Sequence, residues 1–221
     1  MAHVTSAIPG ARWLKTAADD TLARATSVVP RGRPRDRTHD VEILLATVRL
    51  LEHTAYPGLS IAAVARAAAV GKPTVYLRWP SKAALVADAV VAEMTVEPFA
   101  DLGDVRSDLI EGLDRMIRLM NSAPMGRALP GLLADLHEDP ELNKAFQQRY
   151  FTPRRASIRA ALDRAVTRGE IPDGLDLDLV IDQLVGPVYF RLLTRGAPVL
   201  TAPDKLVDFV LAACRSSSVP H

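Results

Sequence analysis

The chain has 221 residues, 48% of them hydrophobic and only 5% aromatic, and no alternation of apolar and polar residues persists long enough to indicate a strand. This composition favours an all-helical protein with a sizeable core. The single cysteine, Cys214, excludes an intramolecular disulfide, and no apolar run approaches the ~20 residues that cross a bilayer. The N-terminus lacks the basic start and long apolar stretch of a signal peptide, so we expect a cytoplasmic protein.

The net charge of +1 is unevenly distributed along the chain. Residues 31–96 carry nine basic and six acidic side chains, whereas residues 97–221 carry fifteen basic and eighteen acidic ones. The front part is mildly basic and the back part mildly acidic. This pattern predicts that only the front part contacts phosphate.

Three segments follow one another. We interpret residues 1–30 as a poorly ordered N-terminal extension, with a helix over residues 12–26 as the alternative. Residues 31–96 form a basic arm followed by short helices, and residues 97–221 form longer helices. Capping residues and helical periodicity place the helices of the first domain over 38–53, 61–68, 72–79 and 82–95. Those of the second domain cover 104–122, 125–137, 139–168, 176–194 and 201–215, and Pro153 is expected to bend or break the third of these.

Two very short helices joined by a tight link stand out after Ser60, which caps the first of them. A helix of about eight residues spans only ~12 Å, which is marginal for building a core but matches the ~12 Å width of a DNA major groove. Ala65 is small enough for the two helices to cross closely, and Val75 can pack the second helix on the first. The spacing predicts a helix-turn-helix whose second helix presents polar side chains to phosphates and base edges. These are Lys72, Thr74, Tyr76 and Arg78.

The stretch SIAAVARAAAVGKPTVYLRWPSKAALVADAV, residues 60–90, is similar to the signature of the TetR family of bacterial repressors nearly from end to end. The resemblance is strongest at Thr74-Val75-Tyr76, which is followed by an aromatic residue and then by Ser81-Lys82. The signature covers about residues 38–96; beyond it, the resemblance rests on the number and order of helices and on GPVYFRLLTRG, residues 186–196. It implies an all-α fold with an N-terminal three-helix helix-turn-helix domain and a larger C-terminal helical domain for ligand binding and dimerisation.

Position by position, the resemblance implies a set of DNA contacts. Lys72 would face a guanine and Pro73 a thymine methyl group, while Arg78 would reach the DNA backbone. Thr74, Tyr76 and Lys82 would bind phosphates. The DNA-contacting set also includes Ser60 at the start of the first short helix.

Two positions depart from the family pattern. Ala69 stands where the turn usually has glycine, which would cost about 1 kcal/mol if its φ is positive. Gly71 stands where the second helix is usually capped by serine, and it is a weaker cap that also loses one phosphate contact.

The arm RGRPR, residues 31–35, resembles the core of hooks that insert arginines into the minor groove of A·T-rich DNA. We expect Arg31, Arg33 and Arg35 to contact DNA in this way, because the arm directly precedes a helix-turn-helix. The alternative is a solvated linker whose charges only aid solubility.

The resemblance also implies a small-molecule site and a dimer interface in the C-terminal domain. The candidate effector-pocket residues, each of which could instead be core, are Met116, Met120, Phe146, Tyr150, Phe151 and Tyr189. The expected interface lies on the last two helices, at apolar residues with helical spacing: Val180, Leu184, Val188, Leu206, Phe209 and Val210. Some of these also pack inside the protomer. An apolar, aromatic-tolerant molecule is the default expectation for the ligand.

Together these observations predict a ligand-responsive transcriptional repressor that binds a palindromic operator as a homodimer and is released by a small apolar effector. Its expected partners are double-stranded operator DNA, a second copy of the chain and an unknown small molecule, with no membrane, cofactor or metal. An architectural DNA-binding protein is one alternative, which the acidic back part disfavours. A helical enzyme is the other, which we disfavour because no catalytic constellation is evident.

Overall fold

The computed structural model describes residues 37–93, 97–196 and 202–216, and these residues form an all-α fold without strands. The predicted extension and the arginines of the arm lie outside the described residues. In chain order the helices are α1 (Arg37–Leu51), α2 (Ile61–Ala67), α3 (Lys72–Tyr76), α4 (Lys82–Ala92), α5 (Val105–Asn121), α6 (Ala123–His137), α7 (Pro140–Phe146), α8 (Thr152–Thr167), α9 (Leu177–Arg195) and α10 (Pro203–Ser216).

Polar side chains begin five of these helices. Each accepts a hydrogen bond from a backbone N–H two or three residues further on, which satisfies a group that the first helical turn leaves without an intrahelical partner. The capping residues are Ser60, Ser81, Asp104, Asp139 and Asp176. A cap of this kind stabilises a helix by about 1 kcal/mol, so the sequence fixes these starting points locally.

The long helix predicted over residues 139–168 is widened rather than broken. Helices α7 and α8 are joined by a single π-helical turn, Gln147–Phe151, and Pro153 lies in the first turn of α8. Proline has no N–H, and its ring would clash with the carbonyl group of Arg149 in a regular helix. A wider turn just before it relieves this clash, and the same turn carries Tyr150 and Phe151.

Helix α6 connects the N-terminal helices to the rest of the molecule, because α1, α4 and the 3-10 turn Tyr56–Gly58 all pack against it. The ring of Tyr56 lies directly on Gly131, where an added Cβ would come within 2.5 Å of a ring carbon. The Tyr56 hydroxyl donates a hydrogen bond of 2.5 Å to Asp135. The two parts of the molecule therefore meet through a fitted contact.

A buried carboxylate fixes the segment that leads into α5. Asp108 is fully buried and accepts a hydrogen bond of 2.6 Å from the backbone N–H of Leu102. The guanidinium groups of Arg164 and Arg168 on α8 each lie 3.3 Å from its other oxygen. A buried charge is stable only when it is paired and hydrogen-bonded, and here both conditions hold. None of the helices within the described ranges is both long and apolar enough to cross a bilayer.

Candidate nucleic-acid interface and effector domain

The link between α2 and α3 is a tight turn closed by two backbone hydrogen bonds. The N–H of Val70 donates to the carbonyl of Ala65 at 2.9 Å, and the N–H of Ala69 donates to that of Arg66 at 3.2 Å. This is the Schellman arrangement, in which the residue after the helix cap adopts a left-handed conformation. Ala69 does so with a φ of 54°. The turn that the sequence predicted is therefore formed with alanine at the usual glycine position.

Helix α3 buries one side chain and exposes its neighbours. Val75 is fully buried against α2, whereas Lys72 and Pro73 are exposed and Tyr76 and Leu77 are 52% and 83% exposed. Gly71 precedes the helix and provides no side-chain cap, because glycine has no side chain. The outer face of α3 thus offers a cation, a hydroxyl group and apolar atoms together. Leu77 was not among the sequence candidates, because an isolated leucine is usually core.

Two predicted phosphate-binding residues are held by partners within the chain. Arg78 forms an ion pair with Asp40 of α1, and its side chain is only 19% exposed. Lys82 donates to the backbone carbonyl of Tyr56 at 3.2 Å and lies 4.1 Å above the centre of its ring. Both contacts join residues that are distant in sequence.

A polar bridge leads from Trp79, just after the recognition helix α3, to the C-terminal domain. The indole N–H of Trp79, two residues after Leu77, donates to Asp88 of α4 at 2.8 Å. The other oxygen of Asp88 is paired with Arg149 in the π-helical turn. Sequence reasoning missed this bridge, since nothing local marks residues 61 positions apart as partners.

Four of the predicted effector-pocket residues form one aromatic cluster. Tyr150 stacks on Phe146 with ring centres 4.7 Å apart, and Phe151 contacts both rings and Tyr189. The two tyrosine hydroxyls lie 3.5 Å apart, and the Arg154 guanidinium lies 4.2 Å above the Tyr150 ring. Burial raises the pKa of both tyrosines above the ordinary value, so both remain neutral at physiological pH.

The methionine candidates lie on α5, where Met120 is fully buried and Met116 is half-buried. Phe146 and Tyr150 are also buried, and their mutual stacking leaves little room between the rings. Nearer the domain linker, an apolar crevice between α5, α8 and α9 is too narrow to hold a water molecule. It is lined by Phe99, Leu109, Leu113, Ile158, Leu184 and Val185.

The dimer-interface candidates divide into two groups. Leu184, Val188 and Val210 are buried inside the single chain, at 2%, 0% and 3% exposure, so they are core residues and offer a partner no contact area. This corrects the expectation for these three. Val180 and Leu206 are half-buried. Phe209 is 72% exposed, and the same two helices also expose large apolar side chains that the sequence analysis did not select: Leu179, Phe190 and Leu193.

Two short crossed helices with an exposed second helix, joined to a larger helical domain, define a helix-turn-helix DNA-binding regulator. Residues 43–89 match the family model of bacterial regulatory proteins of the tetR family, and residues 99–210 match that of the tetracyclin repressor-like C-terminal domain. The chain belongs to the TetR family of ligand-responsive transcriptional repressors.

Relatives along most of the chain are regulators as well. The chain is 31% identical to the HTH-type transcriptional regulator YdeS of Bacillus subtilis, over 75% of this chain and 84% of that protein. It is 32% identical to the DNA-binding transcriptional repressor TetR of Mycobacteroides abscessus, over 80% and 94%. The crystal structure of the TetR family transcription regulator SCO0332 aligns with a TM-score of 0.61 at 33% identity, over 82% of this chain and 99% of that one.

Proposed function

We propose that the protein is a cytoplasmic homodimer that binds a palindromic operator through α2 and α3 of each protomer and leaves it when a small apolar effector binds in the C-terminal domain. The observation that carries this proposal is the division of α3 into a buried Val75 and an exposed outer face. A symmetric dimer would present two such faces to successive major grooves, about 34 Å apart.

The DNA contacts of the recognition helix follow from its exposed groups. Lys72 and Pro73 at the start of α3 face base edges, whereas Thr74 and Tyr76 bind phosphates. Lys82 uses one N–H for the Tyr56 carbonyl and keeps two further donors for a phosphate. We assign Arg78 to holding α3 against α1, because its guanidinium is already paired with Asp40.

Two further sets of DNA contacts complete the proposal. Ser60 at the start of α2 is exposed and contributes to the interface while it caps the helix. The arm residues Arg31, Arg33 and Arg35 directly precede α1 and reach into the flanking minor groove, where arginine favours narrow A·T-rich stretches.

The effector site lies between α5, α8 and α9. Residues Met116 and Met120 of α5 and Tyr189 of α9 belong to the same three helices as the apolar crevice, and the π-helical turn before α8 adds Tyr150 and Phe151. The Trp79–Asp88–Arg149 bridge joins that turn to the segment directly after the recognition helix α3, which supports a route from effector to DNA. An effector releases the operator only if it prefers a state with another spacing of the recognition helices.

Two lysine variants test the DNA assignment on the DNA upstream of the protein's own gene, after footprinting of the wild type has defined the operator there. Lys72→Ala should weaken binding and relax the preference at one base pair, by about 1–3 kcal/mol. Lys82→Ala should weaken binding to all sequences and lower the salt slope by about one. Lys144→Ala, which removes an exposed lysine on α7, is the matched control and should change neither quantity.

Electrophoretic titration over a series of salt concentrations measures these effects. A changed base preference in Lys82→Ala would contradict its assignment to phosphate. Coating of DNA without a symmetric footprint would favour the architectural alternative instead.

A further inference from the structure

The side chain of Phe99 packs against α5 at Gly112, where the lack of a side chain leaves room for the ring. We call the space over Gly112 the seat. An added Cβ at Gly112 would lie 2.2 Å from a ring carbon of Phe99, which no real contact allows. The ring therefore lies flat against the helix backbone. Phe99 belongs to the segment between α4 and α5, outside any helix, and is only half-buried.

The crevice that Phe99 helps to line has entirely apolar walls. Its other lining residues are Leu109 and Leu113 of α5, Ile158 of α8, and Leu184 and Val185 of α9. No hydrogen-bonding side chain lines this crevice. Such a site favours an uncharged ring, because a charged or polar group would lose its hydration there without gaining a partner.

The chain around Phe99 is anchored by polar contacts that do not involve its ring. Its backbone N–H donates to Ser157 at 2.8 Å, and Arg164 donates to the carbonyl of Ala100 at 2.8 Å. The ring can therefore rotate out of the crevice while these anchors hold, and no helix has to unfold. The Phe99 side chain is therefore suited to move out of the crevice and back into it.

We propose that the seat over Gly112 is a binding site for the ring of a small uncharged aromatic ligand, and that Phe99 fills it when no ligand is present. This inference rests on the proposed function, because the ligand is the effector of the repressor. The ligand ring replaces the Phe99 ring, and Tyr189 of the aromatic cluster lies further along α9 from Leu184 and Val185.

Benzene and toluene are suitable probes, because rings of this size enter dry apolar cavities. Calorimetric titration of the full chain should show that the wild type binds toluene, with Phe99 displaced in the crystal structure of the complex. Phe99→Ala should bind it at least tenfold more tightly, since no native ring competes for the seat. Phe99→Leu, a smaller change to the core, should give an intermediate affinity.

Two controls separate the seat from a general effect. Leu102→Ala removes an exposed apolar side chain of the same segment and should leave toluene binding as in the wild type. Adding Gly112→Ala to Phe99→Ala puts a methyl group into the vacated seat and should abolish the gain. Toluene binding by Phe99→Ala but not by the wild type would overturn the inference, because the seat would then be only an engineered cavity. Equal affinity of the two, or toluene bound elsewhere, would do so as well.

Operator release is measured separately, by adding toluene to the protein–DNA complex. Release at about tenfold lower concentration in Phe99→Ala than in the wild type supports both the site and the regulation. Tight binding in the seat without release would overturn the proposed regulatory role of the ligand, while the site itself would stand.

Discussion

Ala69 and Gly169 occupy the same position in two equivalent turns. After α8, the N–H of Glu170 donates to Ala165 and that of Gly169 to Val166, both at 2.9 Å, as Val70 and Ala69 do after α2. Both residues have positive φ, 54° and 71°. Only the second turn has the residue that tolerates this conformation without strain.

The comparison gives a pair of opposite predictions. Ala69→Gly should stabilise the protein by about 0.5–1 kcal/mol, because it relieves left-handed strain. Gly169→Ala should destabilise it by a similar amount, since nothing lies within 4 Å of the added Cβ and only the backbone conformation counts. Urea unfolding of both variants measures this. Destabilisation by Ala69→Gly would show that the flexibility of glycine outweighs the strain.

For single residues, the sequence predicts interactions between near neighbours in the chain but misses those between residues far apart in it. The Ser60 cap and the strain at Ala69 follow from neighbouring residues, so both were predictable. The partners of Arg78 and Lys82 were not, because Asp40 and the Tyr56 carbonyl become neighbours only when α1, the 3-10 turn and α4 pack together.

Among the elements, the Asp88 bridge joins Trp79, just after the recognition helix α3, to the π-helical turn, and its two contacts should differ in strength. Asp88→Ala should cost about 1.5–3 kcal/mol, because it removes a charge-assisted hydrogen bond from the buried Trp79, and should lower operator affinity. Arg149→Ala should cost less than ~1 kcal/mol, because that ion pair is largely exposed. Arg118→Ala, which breaks the exposed pair with Asp114, is the control and should affect neither stability nor DNA binding. Equal costs for Asp88→Ala and Arg149→Ala in urea unfolding would contradict this order.

The 3-10 turn on α6 should make stability depend on alkaline pH. Burial, and then the hydrogen bond to Asp135, raises the pKa of Tyr56 above its ordinary value of 10.0. The folded state therefore favours the neutral phenol, and this stabilisation is fully present below about pH 10 and is lost as the pH rises further. Tyr56→Phe should lower the unfolding free energy at pH 8 by about 1 kcal/mol but weaken its decline between pH 10 and 11.

Tyr76→Phe is the matched control for that experiment. Tyr76 is 52% exposed, so the variant should keep the alkaline decline of the wild type. An unchanged decline in Tyr56→Phe would mean that another group is responsible.

Helix positions were predictable to within a few residues, because caps and apolar periodicity are properties of the sequence. The direction in which a helix face points was less so. Val188 and Phe209 both lie on helices with apolar stripes, yet one is fully buried and the other 72% exposed. Periodicity shows that a stripe exists, but only packing shows whether it faces the core or a partner. The π-helical turn is a further case, since Pro153 predicts a disturbance but not its form.

For the whole molecule, the exposed apolar residues of α9 and α10 predict the oligomeric state. Phe190, Leu193 and Phe209 are each more than half exposed, and a dimer would cover them. Phe209→Glu should give a folded monomer that loses the operator, because a charge buried there has no partner and one helix-turn-helix holds too few phosphates. Leu77→Glu, at the C-terminal cap of α3, should remain a dimer but should also lose operator binding.

Sedimentation of the two variants distinguishes the effects. A tight dimer in Phe209→Glu would mean that the interface lies elsewhere. Val188→Glu cannot serve this purpose, because the residue is fully buried and the variant should unfold rather than dissociate.

The contact between Tyr56 and Gly131 has a consequence for the geometry of the assembled repressor. In a symmetric dimer held by α9 and α10, the ring of Tyr56 on Gly131 would set how closely the N-terminal helices approach α6 of each protomer. The absence of a side chain at Gly131 therefore helps to set the distance between the two α3 helices of the dimer. Displacements of 1–2 Å between packed helices are enough to switch regulatory proteins. An alanine at position 131 would therefore change the match to DNA without touching a nucleotide.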